Sequence, residues 1–289
     1  MTTWLVTGAH GMLGREVVAA LRDGDVTAVG RGDLDITDAG AVARVVAGHD
    51  IVVNCAAWTD VDGAELHEEA AFGANALGPA FLAEACRRSG AALLHVSSDY
   101  VFAGDATEPY PPGAPLAPLS SYGRGKAAGE WAVRAILPER SWIVRTAWLY
   151  GERTTGFVPT MLRCAAVGRQ VDVIDDVWGH PTWARHVAGR LVGLVDADVP
   201  AGVYHAASAG GATWHSFAQA IYSAAGADPE LVRPTPASGV PRPARRPARS
   251  LLADDQWPQV GLPRLPHWRT AWEQAYPELA AAGMPGTAH

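Results

Sequence analysis

Tyr122 and Lys126 stand four residues apart in the segment SSYGRGKAAGE, which occupies residues 120–130. On a helix, this spacing places both side chains on one face. A tyrosine hydroxyl has a pKa of about 10, and a nearby ammonium group or oxidised nicotinamide favours its phenolate form. Such a tyrosine can donate a proton to a carbonyl oxygen as hydride reaches the carbonyl carbon. Because this pair also occurs by chance, the interpretation needs support from other residues.

The segment HVSSDYVF, residues 95–102, supplies Ser97 and Ser98 at the end of an expected strand. Open α/β sheets bind their ligands at the carboxyl ends of the strands. A hydroxyl at that edge, beside Tyr122, would orient a substrate carbonyl. The alternative is that the two serines cap the turn that follows the strand.

The segment TGAHGMLG follows the first expected strand and opens the first expected helix. Its glycines, Gly8, Gly11 and Gly14, have the spacing GxxGxxG. A tight turn, a close approach to a pyrophosphate and close helix–strand contact each leave no room for a Cβ atom. The N–H groups at the helix start would then face an anion. The segment therefore predicts a dinucleotide site, and the alternative is a glycine-rich turn that binds nothing.

The second expected strand ends at Gly30 and Arg31. At this position an acidic residue suits the ribose 2′-hydroxyl of NAD, and an arginine suits the 2′-phosphate of NADP. Arg31 therefore favours NADPH as the cofactor, while the nearby Asp33 keeps NADH as an alternative. Arg31 could also be an ordinary solvated charge of the loop.

Strands that alternate with helices must position these residues. Apolar runs predict strands at 3–8, 25–31, 50–57, 91–98 and 140–150, and helical patterns fall at 11–22, after Asp38, at 62–89 as one broken helix or two, and at 121–137. This alternation predicts parallel βαβ units, and the near-continuous apolar strands are typical of a sheet buried on both faces. The fold class is therefore α/β, with a Rossmann-type doubly wound parallel sheet and an NAD(P)-binding domain over residues 1–150.

Beyond residue 150 the alternation weakens. The patterns predict short strands at 171–176 and 202–207, helices near 156–168, 183–196, 213–225 and 266–280, and an extended loop rich in proline and arginine at 234–250. We therefore expect residues 151–289 to form mainly a smaller C-terminal substrate-binding lobe, with the chain crossing between the two lobes.

The net charge of −7 over 289 residues argues against a general affinity for nucleic acid or anionic membranes. The arginines of residues 242–249 are interrupted by prolines, which favours a loop on the substrate side. No signal peptide or membrane-spanning apolar run is evident, and three widely spaced cysteines are typical of free thiols in the cytoplasm. The ten histidines lack the spacing of metal ligands, so no metal is expected.

Together these segments resemble the dTDP-4-dehydrorhamnose reductase family, within the extended short-chain dehydrogenases/reductases. The resemblance covers nearly the whole chain and is carried by TGAHGMLG, DLDITD, VVNCAAWTDVDGAE, NALGPAFLAEAC, HVSSDYVFAG, YGRGKAAGE, VRTAWLYG, DDVWGHPTWARHVA, GVYHAASAGGATWHSFAQAI and RPARSLL. It implies NAD(P)H-dependent reduction of the C4 ketone of a dTDP-4-keto-6-deoxy-L-hexose, in dTDP-L-rhamnose or antibiotic deoxysugar biosynthesis. A dTDP-sugar is therefore the expected substrate, and a homodimer is the expected assembly.

The resemblance also implies roles for individual residues. Tyr122 would be the general acid, Lys126 would hold the nicotinamide ribose and lower the tyrosine pKa, and Ser98 would take the place of the family's threonine or serine. Further expected cofactor contacts are Gly8, His10, Gly11, Met12, Leu13, Gly14, Arg31, Asp35, Ile36, Ala56, Ala57 and Trp58. Expected substrate contacts, besides Ser98, are Val61, Asp99, Tyr100, Trp148 and Arg249. For Trp148 the alternative is core packing at a strand end, and for Arg249 it is a place along the loop.

The chain departs from the family pattern at three places. Trp58 stands where the family commonly has tyrosine or histidine, and His180 stands where it has a small residue before Pro181. Arg249 replaces the asparagine of the final RPxNS motif. These differences concern the identity of the sugar and leave the hydride chemistry untouched.

Two other classes of function stay open. A 4,6-dehydratase of the same superfamily carries Asp-Glu after the strand-end hydroxyl, whereas Asp99 is followed here by Tyr100. A 4-epimerase would retain a tightly bound NAD. Some relatives are regulatory subunits that bind a dinucleotide without turnover, although the set of Ser98, Tyr122 and Lys126 argues against that role.

Overall fold

The computed structural model describes residues 2–152 and 155–282 of the chain. The first half alternates strands and helices as the sequence predicts. Its elements are β1 (Thr3–Thr7), α1 (Met12–Ala20), β2 (Asp25–Val29), α2 (Ala39–Val46), β3 (Ile51–Asn54), α3 (Val61–Leu66), α4 (Glu68–Phe72), α5 (Gly78–Ser89), β4 (Ala92–Ser98), α6 (Ser121–Ile136) and β5 (Ser141–Thr146). Between α4 and α5 the chain forms a π-helical turn, Gly73–Leu77, so the region 62–89 is one broken helical stretch.

The second half has shorter strands and more irregular segments. Its elements are β6 (Leu149–Tyr150), α7 (Phe157–Ala166), β7 (Val171–Ile174), β8 (Trp178–Gly179), β9 (Thr182–Trp183), α8 (Ala184–Asp196), β10 (Gly202–His205), β11 (Ala212–Thr213), α9 (Trp214–Ala224), β12 (Val232–Thr235), α10 (Gln256–Gln259) and α11 (Trp268–Ala281). Each predicted helix is present within two residues of its expected bounds.

Six strands form the main sheet in the order β10-β5-β4-β3-β1-β2, and every neighbouring pair is parallel. The order runs outward from β1 in both directions, which confirms the doubly wound Rossmann-type prediction. The sheet is covered on both faces. One apolar core lies between the sheet and helices α1 and α8, and a second lies between the sheet and helices α2, α5 and α6.

The sheet does not end with the first half of the chain. The strand β10, which the sequence places beyond residue 150, pairs with β5 as the sixth parallel strand. Helix α8 also packs in the same apolar core as α1, through Val187 and Leu191 beside Val17. The chain therefore crosses back into the main sheet after residue 180, while α7, α9 and α11 enclose a separate core of the second half.

The single strand predicted at 140–150 is divided in two. β5 ends at Thr146, and β6 pairs with β9 outside the main sheet. Between them, Trp148 has a φ angle of 41°, a conformation that is strained for a bulky residue. The Trp148 ring covers Gly179, where a Cβ atom would collide with it. Periodicity could not show this break, because the residues on both sides are apolar.

Candidate active site

Tyr122 and Lys126 lie in the first two turns of α6, as predicted. Ser120 caps this helix, since its hydroxyl accepts a 3.2 Å hydrogen bond from the N–H of Gly123. The Lys126 side chain is 2% exposed, and its Nζ donates a 2.6 Å hydrogen bond to the carbonyl oxygen of Val96 on β4. The helix therefore holds its lysine against the strand that ends at Ser98.

The glycines that surround the tyrosine and the lysine let other segments approach α6 closely. A Cβ atom at Gly123 would collide with the carbonyl oxygen of Tyr100, and one at Gly129 with the carbonyl oxygen of Asn75. At Gly125 it would press on the Asn75 side chain, at 3.1 Å from Cβ to Cβ. Gly125 and Gly129, on either side of Lys126, thus make room for the π-helical turn.

Asn75 lies in that turn, is buried, and holds the backbone of Trp58. Its Oδ1 accepts a 2.9 Å hydrogen bond from the N–H of Trp58, and its Nδ2 donates a 3.0 Å bond to the Trp58 carbonyl oxygen. Our sequence reasoning did not single out Asn75. The only available signal was the interruption of the helical pattern at residues 62–89, because π-helical turns are frequent at functional sites.

Ser97 and Ser98 point to opposite faces of the sheet, since successive side chains of a strand alternate. Ser97 donates a 2.5 Å hydrogen bond to Oε1 of Glu130, which also forms a buried ion pair with Arg145 at 2.7 Å. Ser98 lies on the side of Tyr122, and its hydroxyl is close enough to lower the pKa of that tyrosine. Ser98 is thus the hydroxyl that belongs to the site, and Ser97 stabilises the ion pair that ties α6 to β5.

The pKa of Tyr122 differs from the sequence-based expectation. Burial raises it to about 12, the hydrogen bond with Ser98 lowers it, and the charge of Asp99 raises it. We expected the ammonium group of Lys126 to lower it, but that group donates to Val96, and its own pKa falls to about 8 through burial. Tyr122 therefore keeps its proton at neutral pH, which is the state that a proton donor needs.

The glycine loop has the shape of a phosphate-binding turn. Gly8 has a φ angle of 65° and lies so close to the backbone of Cys55 and Ala56 that a Cβ atom would collide with it. Gly14 is equally close to the carbonyl oxygen of Gly8. Helix α1 begins directly after Gly11, and the N–H groups of its first turn have no acceptor within the helix. These donors and the open backbone fit a pyrophosphate.

The other predicted residues of the loop differ in exposure. His10 is exposed, and its ring packs against Gly30 at the end of β2. Met12 lies at the mouth of a pocket between the two halves of the chain. The side chain of Leu13 is buried in the core between the sheet and α8, so only its backbone faces the loop.

Asp33 and Arg31, the two candidate partners of the cofactor ribose, have different environments after the end of β2. Asp33 accepts a 2.8 Å hydrogen bond from the N–H of Gly30, so its carboxylate stabilises the turn. Arg31 is exposed at the edge of the sheet. Asp35 accepts hydrogen bonds from the N–H and the hydroxyl of Thr37, which lower its pKa, and Ile36 is buried against Gly78.

Tyr100 connects Tyr122 to a distant segment. Its ring meets the ring of Tyr122 edge-on, with centroids 5.6 Å apart, and the Arg246 guanidinium lies close enough to its hydroxyl to lower its pKa against the effect of burial. Arg246 in turn forms a two-pronged ion pair with Asp62, at 2.8 and 2.9 Å. The proline- and arginine-rich loop therefore reaches α3, on which Val61 is half-buried beside Asp62.

An aromatic pocket lies between the two halves of the chain. The Trp148 ring stacks on Trp214 with centroids 3.7 Å apart, and Phe157 lies against the other side of Trp214. Met12, from the start of α1, is part of the same wall. Trp148 thus packs against the second half of the chain and also lines the pocket. This environment is compatible both with core packing and with a substrate contact.

Arg249 and His180 have defined places on the substrate side. The Arg249 guanidinium lies 5.6 Å from the ring centre of Trp178, and the backbone N–H of Arg249 donates to the carbonyl oxygen of Gly104. His180 is buried; its Nδ1 donates to the carbonyl oxygen of Gly210, and its Nε2 accepts from the N–H of Leu252, both at 2.8 Å. His180 therefore joins two loops that a small residue could not bridge.

Residues 2–152 and 155–282 contain neither a candidate membrane span nor a candidate metal cluster. No helix in this part of the chain is long and apolar enough to cross a membrane. No group of three or more histidine, cysteine, aspartate or glutamate side chains in the same ranges could hold a metal ion.

The chain is similar to characterised reductases along its full length. A family model described as the RmlD substrate binding domain matches residues 1–281. A dTDP-4-dehydrorhamnose reductase of Streptomyces griseus is 48% identical over 98% of this chain and 96% of the relative. A dTDP-4-keto-6-deoxy-D-glucose reductase of Streptomyces niveus is 46% identical over 96% of this chain and 98% of the relative. A crystal structure of dTDP-4-dehydrorhamnose reductase from Bacillus anthracis in complex with NADP superposes with a TM-score of 0.91 at 32% identity, covering 96% of this chain and all of that one.

Proposed function

The chain belongs to the dTDP-4-dehydrorhamnose reductase family, and on that premise we propose that it reduces the C4 ketone of a dTDP-4-keto-6-deoxy-L-hexose with NADPH. NADH is the alternative hydride donor. The product serves dTDP-L-rhamnose or antibiotic deoxysugar biosynthesis. The relatives carry names for more than one dTDP-sugar, so the sugar itself is the part of the proposal that most needs a test.

One observation carries the chemistry. The carboxyl end of β4 brings Ser98 beside Tyr122, and Lys126 lies one turn further along the same helix face. The glycine loop after β1 and the segment after β3 end at the same edge of the parallel sheet, because parallel strands align their carboxyl ends. A ketone placed at this edge would meet a hydroxyl proton donor and a dinucleotide together.

The cradle around Gly8 and Gly14, which a Cβ atom would fill, fits the pyrophosphate of the cofactor. When bound, NADPH supplies the hydride for the ketone carbon. We propose that Tyr122 donates its hydroxyl proton to the ketone oxygen and that Lys126 holds the nicotinamide ribose. Arg31 would bind the 2′-phosphate, since Asp33 is already engaged by the turn. Met12, Asp35, Ile36 and residues 56–58 would complete the cofactor contacts.

We further propose that the second half of the chain supplies most of the substrate site. Residues 151–289 would form the smaller lobe, although β10 returns to the main sheet. Val61, Tyr100 and Trp148 would lie near the sugar, and Arg249 near a substrate phosphate. The positively charged loop reaches Tyr100 through Arg246, which supports this placement. We also propose that the protein is a homodimer and that it is located in the cytoplasm. We expect it to have no affinity for nucleic acid or membranes.

Two alternatives predict different behaviour of the purified protein. A 4-epimerase would carry tightly bound NAD, which the absorbance of the pure protein would reveal. A regulatory subunit would bind the dinucleotide without turnover. The presence of Ser98, Tyr122 and Lys126 together at the end of β4 favours a working reductase.

The decisive assay follows oxidation of NADPH and NADH at 340 nm. The substrate is dTDP-4-keto-6-deoxyglucose, supplied with and without the 3,5-epimerase that converts it to the L-lyxo ketone. Turnover that requires the epimerase supports the rhamnose-type reaction, and the ratio of rates identifies the cofactor. Turnover without the epimerase indicates a D-sugar ketoreductase. No turnover in either arm, with dinucleotide bound, would refute the reductase.

A further inference from the structure

Asp99 is buried directly beside the catalytic hydroxyls, although the proposed reaction gives it no step. Asp99 is 1% exposed, and each of its two carboxylate oxygens contacts a serine hydroxyl. Oδ1 lies 3.0 Å from Oγ of Ser98, and Oδ2 accepts a hydrogen bond from Oγ of Ser250. Ser250 is also 1% exposed and lies 151 residues further along the chain. This arrangement leaves Asp99 little room to contact a substrate directly.

The hydroxyl of Ser98 has three neighbours and one proton. A serine hydroxyl can donate one hydrogen bond and accept two. The N–H of Tyr100, which can only donate, occupies one acceptor position at 3.2 Å. Asp99 takes a second position, with Oδ1 at 3.0 Å, and one position is left for Tyr122 or a bound ketone. The protonation state of Asp99 therefore decides in which direction the Ser98 proton points.

An ionised carboxylate can only accept, so it would take the Ser98 proton. Ser98 would then accept from Tyr122 and have no proton for a ketone oxygen. A protonated Asp99 reverses this order, because its O–H at Oδ1 can donate to Ser98 while Oδ2 still accepts from Ser250. The one Ser98 proton is then free to point to a ketone oxygen.

We propose that Asp99 acts in its protonated form as a positioning residue, which donates to Ser98 so that Ser98 directs its one proton to the ketone oxygen. This inference rests on the proposed reductase function. It adds a second hydrogen-bond donor where negative charge develops, which is the arrangement that most stabilises such a transition state.

The surroundings of Asp99 extend the neutral acid to higher pH. Burial raises its pKa to about 6, and the hydrogen bonds from Ser250, Ser98 and the backbone lower it, so the neutral acid predominates below about pH 6. The titratable groups around it are Tyr100 and Tyr122, whose pKa values its charge would raise, and Arg246 faces Tyr100. Without a paired cation, a buried charge at Asp99 is costly.

The first test needs no substrate. With ¹³C-labelled aspartate carboxyl groups, NMR follows the titration of Asp99, which the Asp99→Asn variant identifies. We expect a pKa of about 6 in the wild-type protein and a higher pKa in Ser250→Ala, which lacks a donor to the ionised form. Ser250→Thr, which keeps the hydroxyl, should restore the wild-type titration. An unchanged titration in Ser250→Ala would overturn the role of Ser250.

The second test compares kcat across pH 5–8 for three proteins. Asp99→Asn keeps an N–H donor toward Ser98, so its kcat should stay within about threefold of wild type at pH 6 and exceed it at pH 8. Asp99→Ala has no donor and should lose at least about tenfold at both pH values. Ser250→Ala should move the alkaline fall in kcat to higher pH if that fall reports the ionisation of Asp99. A fall that reports the titration of Lys126 would not move in this variant.

Equal losses in the Asn and Ala variants, or an Asn variant with the wild-type pH profile, would overturn the proposal. The two tests also separate the inference from the function on which it rests. If the wild-type protein shows no turnover, the reductase assignment and the catalytic role of Asp99 fail together, while the NMR titration still reports whether Ser250 controls the ionisation of Asp99.

Discussion

Acid should destabilise this protein through His205, a buried histidine of the main sheet. Its Nδ1 donates to the carbonyl oxygen of Ala253, and its Nε2 accepts from Arg145 at 3.2 Å. Arg145 is the partner of Glu130 in the ion pair beneath α6. A proton on Nε2 would turn an acceptor toward the arginine into a positive charge, in a place that water does not reach.

The size of the effect follows from the pKa. Burial, followed by the charge of Arg145, lowers the pKa of His205 to about 3, whereas an unfolded histidine has a pKa of about 6.5. The unfolded state therefore binds the proton first, and stability is lost as the pH falls from about 6.5 toward about 3. At pH 5 the loss is about 1.5 pH units times 1.36 kcal/mol, or about 2 kcal/mol, and it is close to zero at pH 7.5.

Urea unfolding of the wild-type protein and of His205→Gln at pH 7.5 and pH 5 measures this contribution. The variant loses the ring and is less stable at both pH values. Its free energy of unfolding should, however, fall by about 2 kcal/mol less than that of the wild type when the pH is lowered from 7.5 to 5. His67→Gln is the matched control, because His67 is exposed. If His205→Gln shows the same pH dependence as wild type and the control, the reasoning from burial is wrong.

Three further predictions concern the site. Tyr122→Phe should lower kcat by about 10² or more while NADPH binding, measured by fluorescence, stays within about twofold; near-normal turnover would exclude Tyr122 as the proton donor. Arg31→Ala should weaken NADPH binding much more than NADH binding, and equal losses would show that Arg31 does not bind the 2′-phosphate. Asn75→Ala leaves the N–H and the carbonyl of Trp58 without their partner, so KM for NADPH should rise about tenfold with a smaller change in kcat; an unchanged KM would refute its positioning role.

The sequence predicts the elements of this fold well because local patterns determine them. Parallel strands buried on both faces have apolar runs, and the glycine loop has its own spacing. Periodicity cannot tell which sheet a short strand joins. The pattern at 202–207 indicated a strand, but only the structure shows that β10 extends the main sheet beside β5.

The site was predictable where one segment carries the chemistry and unpredictable where distant segments meet. The spacing of four residues on one helix identifies Tyr122 and Lys126 as a candidate pair. The family resemblance implies that Asp99 contacts the substrate, and only the structure shows that a serine 151 residues away binds its carboxylate inside the protein. The direction of the Tyr122 pKa was also missed, because burial outweighs a lysine that donates elsewhere.

The glycines of α6 link cofactor binding to proton donation. Gly125 and Gly129 admit the π-helical turn, the turn carries Asn75, and Asn75 fixes the backbone of Trp58 in the segment expected along the cofactor. On the same helix, Lys126 reaches β4, and Tyr122 reaches Ser98 at the end of that strand. A side chain added at Gly129 would push the turn away, and with it the segment that is expected to lie along the cofactor. Gly129→Ala should therefore raise KM for NADPH even though the residue would touch neither cofactor nor substrate, and normal cofactor kinetics in that variant would show that the turn and the helix are not coupled.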